Sequence, residues 1–102
     1  MHPLIDGKRG EVADLCKRFR VRRLDLFGSA ARGDFDPASS DLDFLVEFEP
    51  IPPAAYADAY FSVKEGLEAL FNRQVDLVTT SSVVNPYFRA RLSASRESIY
   101  AA

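Results

Sequence analysis

Every second residue from Leu42 to Phe48 is a large apolar residue, and this alternation constrains the fold more than any other feature of the sequence. A period of two is that of a β-strand with one face in the core. Pro50 lies two residues after Phe48 and lacks the backbone N–H that a continuing strand needs, so the strand is expected to end before it. The intervening positions, which begin with Asp41 and Asp43, are therefore predicted to lie on the face away from the core.

Two other segments have helical periodicity. Between Lys8 and Phe19 the apolar residues recur at i, i+3, i+4 and i+7, which predicts an amphipathic helix. Its apolar face consists of Val12, Leu15, Cys16 and Phe19. A similar stripe from Tyr56 to Leu70 predicts a helix of about four turns, and Asn72 is expected to end it.

Two further strands and another helix complete the pattern. Residues 21–27 and 75–79 are predicted to be strands. Asn85 followed by Pro86 predicts a helix start, because Asn caps a helix and Pro suits its first position. The apolar residues that continue this helical spacing are Phe88, Leu92 and Ile99. The pattern leaves open whether residues 98–100 are helical or an edge strand, and the alternation of helices with strands indicates a small α/β or α+β domain.

The chain has 102 residues, with 13 lysines and arginines against 15 aspartates and glutamates, so its formal charge is −2. A chain of this length is expected to fold as one domain spanning residues 1–102. Its slight acidity argues against direct binding of nucleic acid through bulk positive charge. The single Cys16 and the single His2 exclude an internal disulfide and a Cys/His zinc site. Because no apolar run has the length of a signal peptide or a membrane span, a soluble, cytoplasmic domain is expected.

The strand at residues 21–27 runs into Gly28 and Ser29, after which a helix is expected to begin. Glycine lets the backbone approach an anion closely, and the N–H groups of a helix start can hold a phosphate together with the Ser29 hydroxyl. The alternative is a plain turn that caps the helix. Arg32 would either contact the same phosphates or lie on the helix surface.

Three carboxylates are candidates for a metal site. Asp41 and Asp43 are two residues apart on one strand, so both point to the same face, and at about 6 Å their repulsion would be on the order of 3 kcal/mol. A divalent cation relieves that repulsion, and oxygen ligands without His or Cys suit Mg²⁺. Asp76 has the same orientation on the strand at residues 75–79 and joins the set if the two strands are neighbours. Asp25 and Glu47 compete with Asp76 as third ligand and rank below it.

Four short motifs occur together over residues 27–78. They are Phe27-Gly28-Ser29, Arg32-Gly33, Ser40-Asp41-Leu42-Asp43 and Val75-Asp76-Leu77-Val78. In combination they resemble the motifs of the minimal nucleotidyltransferases in the DNA polymerase β superfamily. The resemblance covers nearly the whole chain and implies a small mixed sheet flanked by helices.

The resemblance also implies a role for each motif residue. Gly28 and Ser29 would hold the nucleotide triphosphate, with Arg32 as a further contact. Asp41 and Asp43 would bind two Mg²⁺ ions, and Asp76 would complete the metal site and assist the acceptor hydroxyl.

The activity expected from this resemblance is transfer of a nucleoside monophosphate, AMP from ATP, to an acceptor hydroxyl with release of pyrophosphate. Similar proteins are often encoded beside a helical HEPN-domain protein and act as antitoxins to it, some by attaching AMP. The alternative is a binding module that neutralises such a partner by complex formation alone.

The short chain leaves no room for a separate acceptor-binding lobe, so a partner protein is expected. Aromatic residues outside the main helical stripe are candidates for its docking surface: Phe61, Phe71 and Tyr87. Five cations lie within seven residues: Lys17, Arg18, Arg20, Arg22 and Arg23. They fit the C-terminal end of a helix, whose dipole favours positive charge, and a patch for an acidic partner or RNA is the alternative.

Overall fold

The computed structural model describes residues 3–28, 42–79 and 96–102. These residues form three helices: α1 (Pro3–Asp6), α2 (Arg9–Arg18) and α3 (Pro53–Phe71). They also form four strands: β1 (Val21–Phe27), β2 (Leu42–Phe48), β3 (Val75–Thr79) and β4 (Glu97–Ala101). The helices predicted from the spacing at residues 8–19 and 56–70 and the strands predicted at residues 21–27, 42–48 and 75–79 are confirmed.

The four strands make one mixed sheet in the order β3-β2-β1-β4. β1 pairs antiparallel with both β2 and β4, whereas β2 and β3 are parallel. A parallel pair needs a crossover connection, and α3 supplies it. None of the helices in the described part of the chain is long and apolar enough to span a membrane.

One face of the sheet packs against α2 and α3. The buried residues of this core include Val12, Cys16, Leu24, Leu26, Phe44, Val46, Val63, Leu67 and Leu77. Because strand residues alternate between faces, the residues between these core positions lie on the opposite face. We call that second face the carboxylate face, since it carries Asp25, Asp43 and Asp76, beside a small apolar cluster of Phe27, Leu45 and Val78.

Two side chains of α3 bind the backbone of β3, which is an edge strand. The Tyr60 hydroxyl donates to the carbonyl oxygen of Leu77 at 2.6 Å, and the Val75 N–H donates to Glu68 Oε2 at 3.2 Å. The carbonyl oxygen of Gln74 instead accepts from β2. Since backbone groups alternate in direction along a strand, Val75 and Leu77 present theirs to the outer edge.

Residues 98–100, which the sequence pattern left undecided, belong to the edge strand β4. The prediction that Ile99 continues the helix starting at Asn85-Pro86 is wrong, because Ile99 is buried in the core as part of β4. A spacing of seven residues, as from Leu92 to Ile99, fits two helical turns but does not require them. The predicted start of that helix at Asn85-Pro86, and the helix predicted after Gly28, lie outside the described residues, as does Tyr87.

The two phenylalanines proposed for a docking surface differ in burial. Phe61 is 57% exposed, as a docking residue requires, and lies edge to face with Tyr60. Phe71 is only 2% exposed and its ring stacks on Phe44 with the centroids 6.1 Å apart. The prediction for Phe71 is therefore wrong: the last turn of α3 points this ring into the core beneath β2.

This difference gives a matched stability test. Phe71→Ala is expected to lower the free energy of unfolding by about 3–5 kcal/mol, because it leaves a cavity against Phe44. Phe61→Ala removes a mostly exposed ring and should change stability by less than about 0.5 kcal/mol. Urea denaturation of both variants checks the assignment, and equal losses would contradict it.

Cys16 is fully buried on the apolar side of α2, and burial raises the pKa of its thiol to about 12. A raised pKa keeps the thiol protonated and unreactive. The folded chain at pH 8 is therefore expected to resist a thiol-specific disulfide reagent, whereas the chain unfolded in urea should react with one equivalent. Rapid labelling of the folded chain would show that α2 opens without global unfolding.

Candidate active site

Asp43 on β2 and Asp76 on β3 are direct register partners in the parallel pair. Neighbouring strands lie about 4.8 Å apart, so the two side chains stand next to each other on the carboxylate face. Asp76 is exposed and Asp43 is half-buried. The sequence placed Asp76 in the site only if its strand neighbours the strand of Asp43, and in the structure the two strands are neighbours.

Gly28 brings the backbone against the Asp43 carboxylate. Phe27, the last residue of β1, is the register partner of Asp43. Gly28 then adopts a φ of 75°, in the left-handed region that favours glycine. A Cβ atom placed on Gly28 would collide with Asp43 Oδ2. Both the conformation and the close approach therefore require glycine, and they fix the end of β1 beside the carboxylate.

Asp25 is the buried charged residue of the carboxylate face, with 1% exposure. Arg23 Nε lies 3.2 Å and Arg96 Nε 2.5 Å from Asp25 Oδ2, and Arg23 Nε also donates to Oδ1 at 3.3 Å. Two guanidinium groups therefore occupy the carboxylate that the sequence analysis ranked as a competing metal ligand. Sequence reasoning missed Arg96 because it is 71 residues from Asp25 and has no local motif.

Glu47, the other competing ligand, lies on the same strand as Asp43 but four residues further on. At about 3.3 Å per residue this separates the two by roughly 13 Å along β2, which is too far for one ion to be shared. Glu47 is instead the register partner of Arg23 on β1.

The donors at Asp43 and Asp76 fit a hard divalent cation. Both are carboxylates, both lie on one face, and their mutual repulsion falls when a cation binds between them. Within residues 3–28, 42–79 and 96–102 no three potential ligands form a metal-binding group. Asp41, Ser29 and Arg32, the remaining residues of the predicted site, lie outside these ranges.

Residues 11–99 match the family described as "Nucleotidyltransferase domain". The chain therefore belongs to the nucleotidyltransferase family, as its motifs predicted, and is an enzyme of that class. One relative, the protein adenylyltransferase MntA of Thermococcus cleftensis, is 43% identical over 70 residues, which cover 69% of this chain and 67% of the relative.

Two solved structures share the fold. One is described as a tri-AMPylated Shewanella oneidensis HEPN toxin in complex with MNT antitoxin. Its TM-score is 0.64 at 15% sequence identity, and the alignment covers 96% of this chain and 73% of the chain in that structure. The other is described as a toxin-antitoxin with AMP-PNP. Its TM-score is 0.66 at 17% sequence identity, and the alignment covers 92% of this chain and 73% of the chain in that structure. The predicted architecture, a small mixed sheet with flanking helices, is confirmed.

Gly28 provides a test of the packing at Asp43. Gly28→Ala is expected to lower the free energy of unfolding by about 1–2 kcal/mol, from the left-handed conformation alone, and to displace the Asp43 carboxylate. The control is Gly10→Ala in α2, where nothing lies within 4 Å of the added Cβ. That change should be neutral or stabilising by up to about 1 kcal/mol, because alanine favours the helix. Urea denaturation with parallel Mn²⁺ titration measures both effects, and unaltered Mn²⁺ affinity in Gly28→Ala would contradict the proximity argument.

Proposed function

We propose that this chain is a metal-dependent protein adenylyltransferase, which transfers AMP from ATP to a hydroxyl group of a partner protein and releases pyrophosphate. The observation that carries the proposal is the register of Asp43 with Asp76 beside the Gly28 turn. This arrangement joins a paired-carboxylate cation site to a backbone turn that can approach phosphate. The relative named as a protein adenylyltransferase supports AMP as the transferred group.

Each residue of the proposed site has a distinct task. Asp41 and Asp43 would hold two Mg²⁺ ions, with Asp76 completing the set. The Gly28 backbone and Ser29 hydroxyl would hold the triphosphate. Arg32 would add a charged contact to the same phosphates.

The reaction is a displacement at the α-phosphorus. Bound Mg²⁺ would neutralise charge on the phosphates and activate the attacking hydroxyl. The acceptor oxygen forms a new bond to the α-phosphorus, and the bond to the bridging oxygen between the α- and β-phosphates breaks. Asp76, the exposed member of the pair, would take the proton of the acceptor hydroxyl. Asp43, held against Gly28, would fix the position of the bound cation.

The acceptor that we propose is a helical HEPN-domain protein, towards which this chain would act as an antitoxin. Support comes from the structural relative described as an antitoxin in complex with an AMPylated HEPN toxin. The exposed ring of Phe61 also favours an acceptor held by protein contact. A stable complex would bury more than about 1,000 Å² of surface.

The proposal predicts label transfer that depends on the carboxylate pair. With ATP labelled at the α-phosphate, Mg²⁺ and a HEPN-domain partner protein, the partner should become labelled. Asp43→Asn and Asp76→Asn are each expected to lower the initial rate at least about a hundredfold, because each removes a charge that holds the cation. Asp14→Asn, which removes an exposed carboxylate of α2, is the control and should leave the rate unchanged.

The same variants separate chemistry from simple binding. If Asp43→Asn binds the partner with unchanged affinity but no longer neutralises it, adenylylation is the mechanism. The opposite outcome has two parts: Asp43→Asn neutralises the partner fully, and the unaltered protein transfers no label to the partner. That outcome would establish a binding module and overturn the proposal.

A further inference from the structure

We infer that Arg96, held in place by buried Asp25, is a second polyphosphate-binding group that contacts the β- and γ-phosphates of the nucleotide. The inference rests on the proposed function, because it places the triphosphate on the carboxylate face. It assigns a substrate contact to an arginine that lies outside the motifs at residues 27–78.

The sheet order places Arg96 beside the site. Arg96 directly precedes Glu97, which is the register partner of Leu26 near the end of β1. On the other side of β1, Phe27 pairs with Asp43, and Asp43 pairs with Asp76. Arg96 and the two aspartates therefore flank opposite sides of the Gly28 turn. With strands about 4.8 Å apart, Arg96 starts roughly 10 Å from Asp43, and its long side chain shortens that gap.

The contact with Asp25 fixes where the guanidinium lies. Asp25 is the register partner of Leu45, two residues from Asp43, and such diagonal neighbours are about 7–8 Å apart. Arg96 Nε contacts the Asp25 carboxylate on this same face. A triphosphate that begins at the cation between Asp43 and Asp76 and crosses the Gly28 turn therefore reaches the Arg96 guanidinium.

The side chains around Asp25 leave arginine donors available. Glu47, the register partner of Arg23, adds a second carboxylate, so the local charges balance. Two arginines, Arg23 and Arg96, contact the Asp25 carboxylate. Both use Nε for this contact, and in the described part of the chain their terminal nitrogens make no other hydrogen bond. The Arg96 side chain is 32% exposed, so these donors remain accessible. A pre-positioned guanidinium with free donors suits phosphate oxygens, which accept two parallel hydrogen bonds from arginine.

The task of Arg96 in the reaction is to stabilise the leaving group. When the bond between the α-phosphorus and the bridging oxygen breaks, its electron pair stays on that oxygen, and pyrophosphate gains negative charge. Hydrogen bonds from the Arg96 terminal nitrogens strengthen as that charge develops, and no proton needs to be transferred. Asp25 is then a positioning residue, since it acts only through the arginine.

The test compares the unaltered protein with Arg96→Gln, in which Arg23 still pairs with the buried Asp25 carboxylate. The probe is inorganic pyrophosphate with Mg²⁺, measured by titration calorimetry. Loss of charged hydrogen bonds should weaken pyrophosphate binding by about ten- to a hundredfold in Arg96→Gln relative to the unaltered protein. AMP, which lacks the β- and γ-phosphates, should bind both equally. Arg22→Gln in the unaltered background, an exposed arginine of β1, is the control for bulk charge and should leave the affinity unchanged.

The outcomes separate this inference from the proposed function. Equal pyrophosphate affinity in Arg96→Gln and the unaltered protein would overturn the role of Arg96, even if the unaltered protein labels its partner. An equal loss of AMP affinity would also overturn it, because it would show a general collapse of the site. A selective loss of pyrophosphate affinity supports Arg96 even if no partner is labelled, and in that case the proposed acceptor is what fails.

Discussion

The parallel pairing of β2 with β3 is the constraint on which the site depends. This pairing sets Asp43 beside Asp76, and a shift by one residue would turn Asp76 into the core and bring Val75 or Leu77 to the site. The register is fixed on both faces: Leu77 and Phe44 are buried under α3, and Leu45 and Val78 pack together beside the carboxylates. Core packing and the geometry of the candidate site therefore depend on the same strand register.

The carboxylate face carries acidic side chains near Gly28 and basic side chains near Asp25. Near Gly28 it presents two acidic side chains that attract a cation. Near Asp25 it presents two arginines that share one buried carboxylate. Burying an ion pair costs desolvation, and such pairs often add little stability compared with apolar residues of similar size. The cluster is thus better explained by the direction it gives to the arginines than by the stability it adds.

The sequence predicted the local elements and the nucleotidyltransferase family well, because strands, helices and motifs are short-range patterns. The alternation at residues 42–48 and the helical stripe at residues 56–70 each lie within one element, and the motif around Gly28 directly follows a strand. Burial of Phe71 was not predictable, because it depends on how α3 rotates against β2. The pairing of Asp25 with Arg96 depends on β4 lying next to β1, a long-range contact that no periodicity encodes. Whether Ile99 belongs to a helix or a strand depended on that same contact.

The hydrogen bonds that join the outer backbone of β3 to the side chains of Tyr60 and Glu68 bear on how copies of this protein behave at high concentration. An edge strand with unpaired backbone groups can recruit strands from other molecules and seed aggregation. Here α3, the helix that connects β2 to β3, also covers part of the free edge of β3. The Tyr60 hydroxyl binds the outward-facing carbonyl oxygen of Leu77, and the Glu68 carboxylate accepts from the outward-facing N–H of Val75. The crossover thus protects the strand it creates, and an incoming strand would have to displace both side chains before it could add to the sheet.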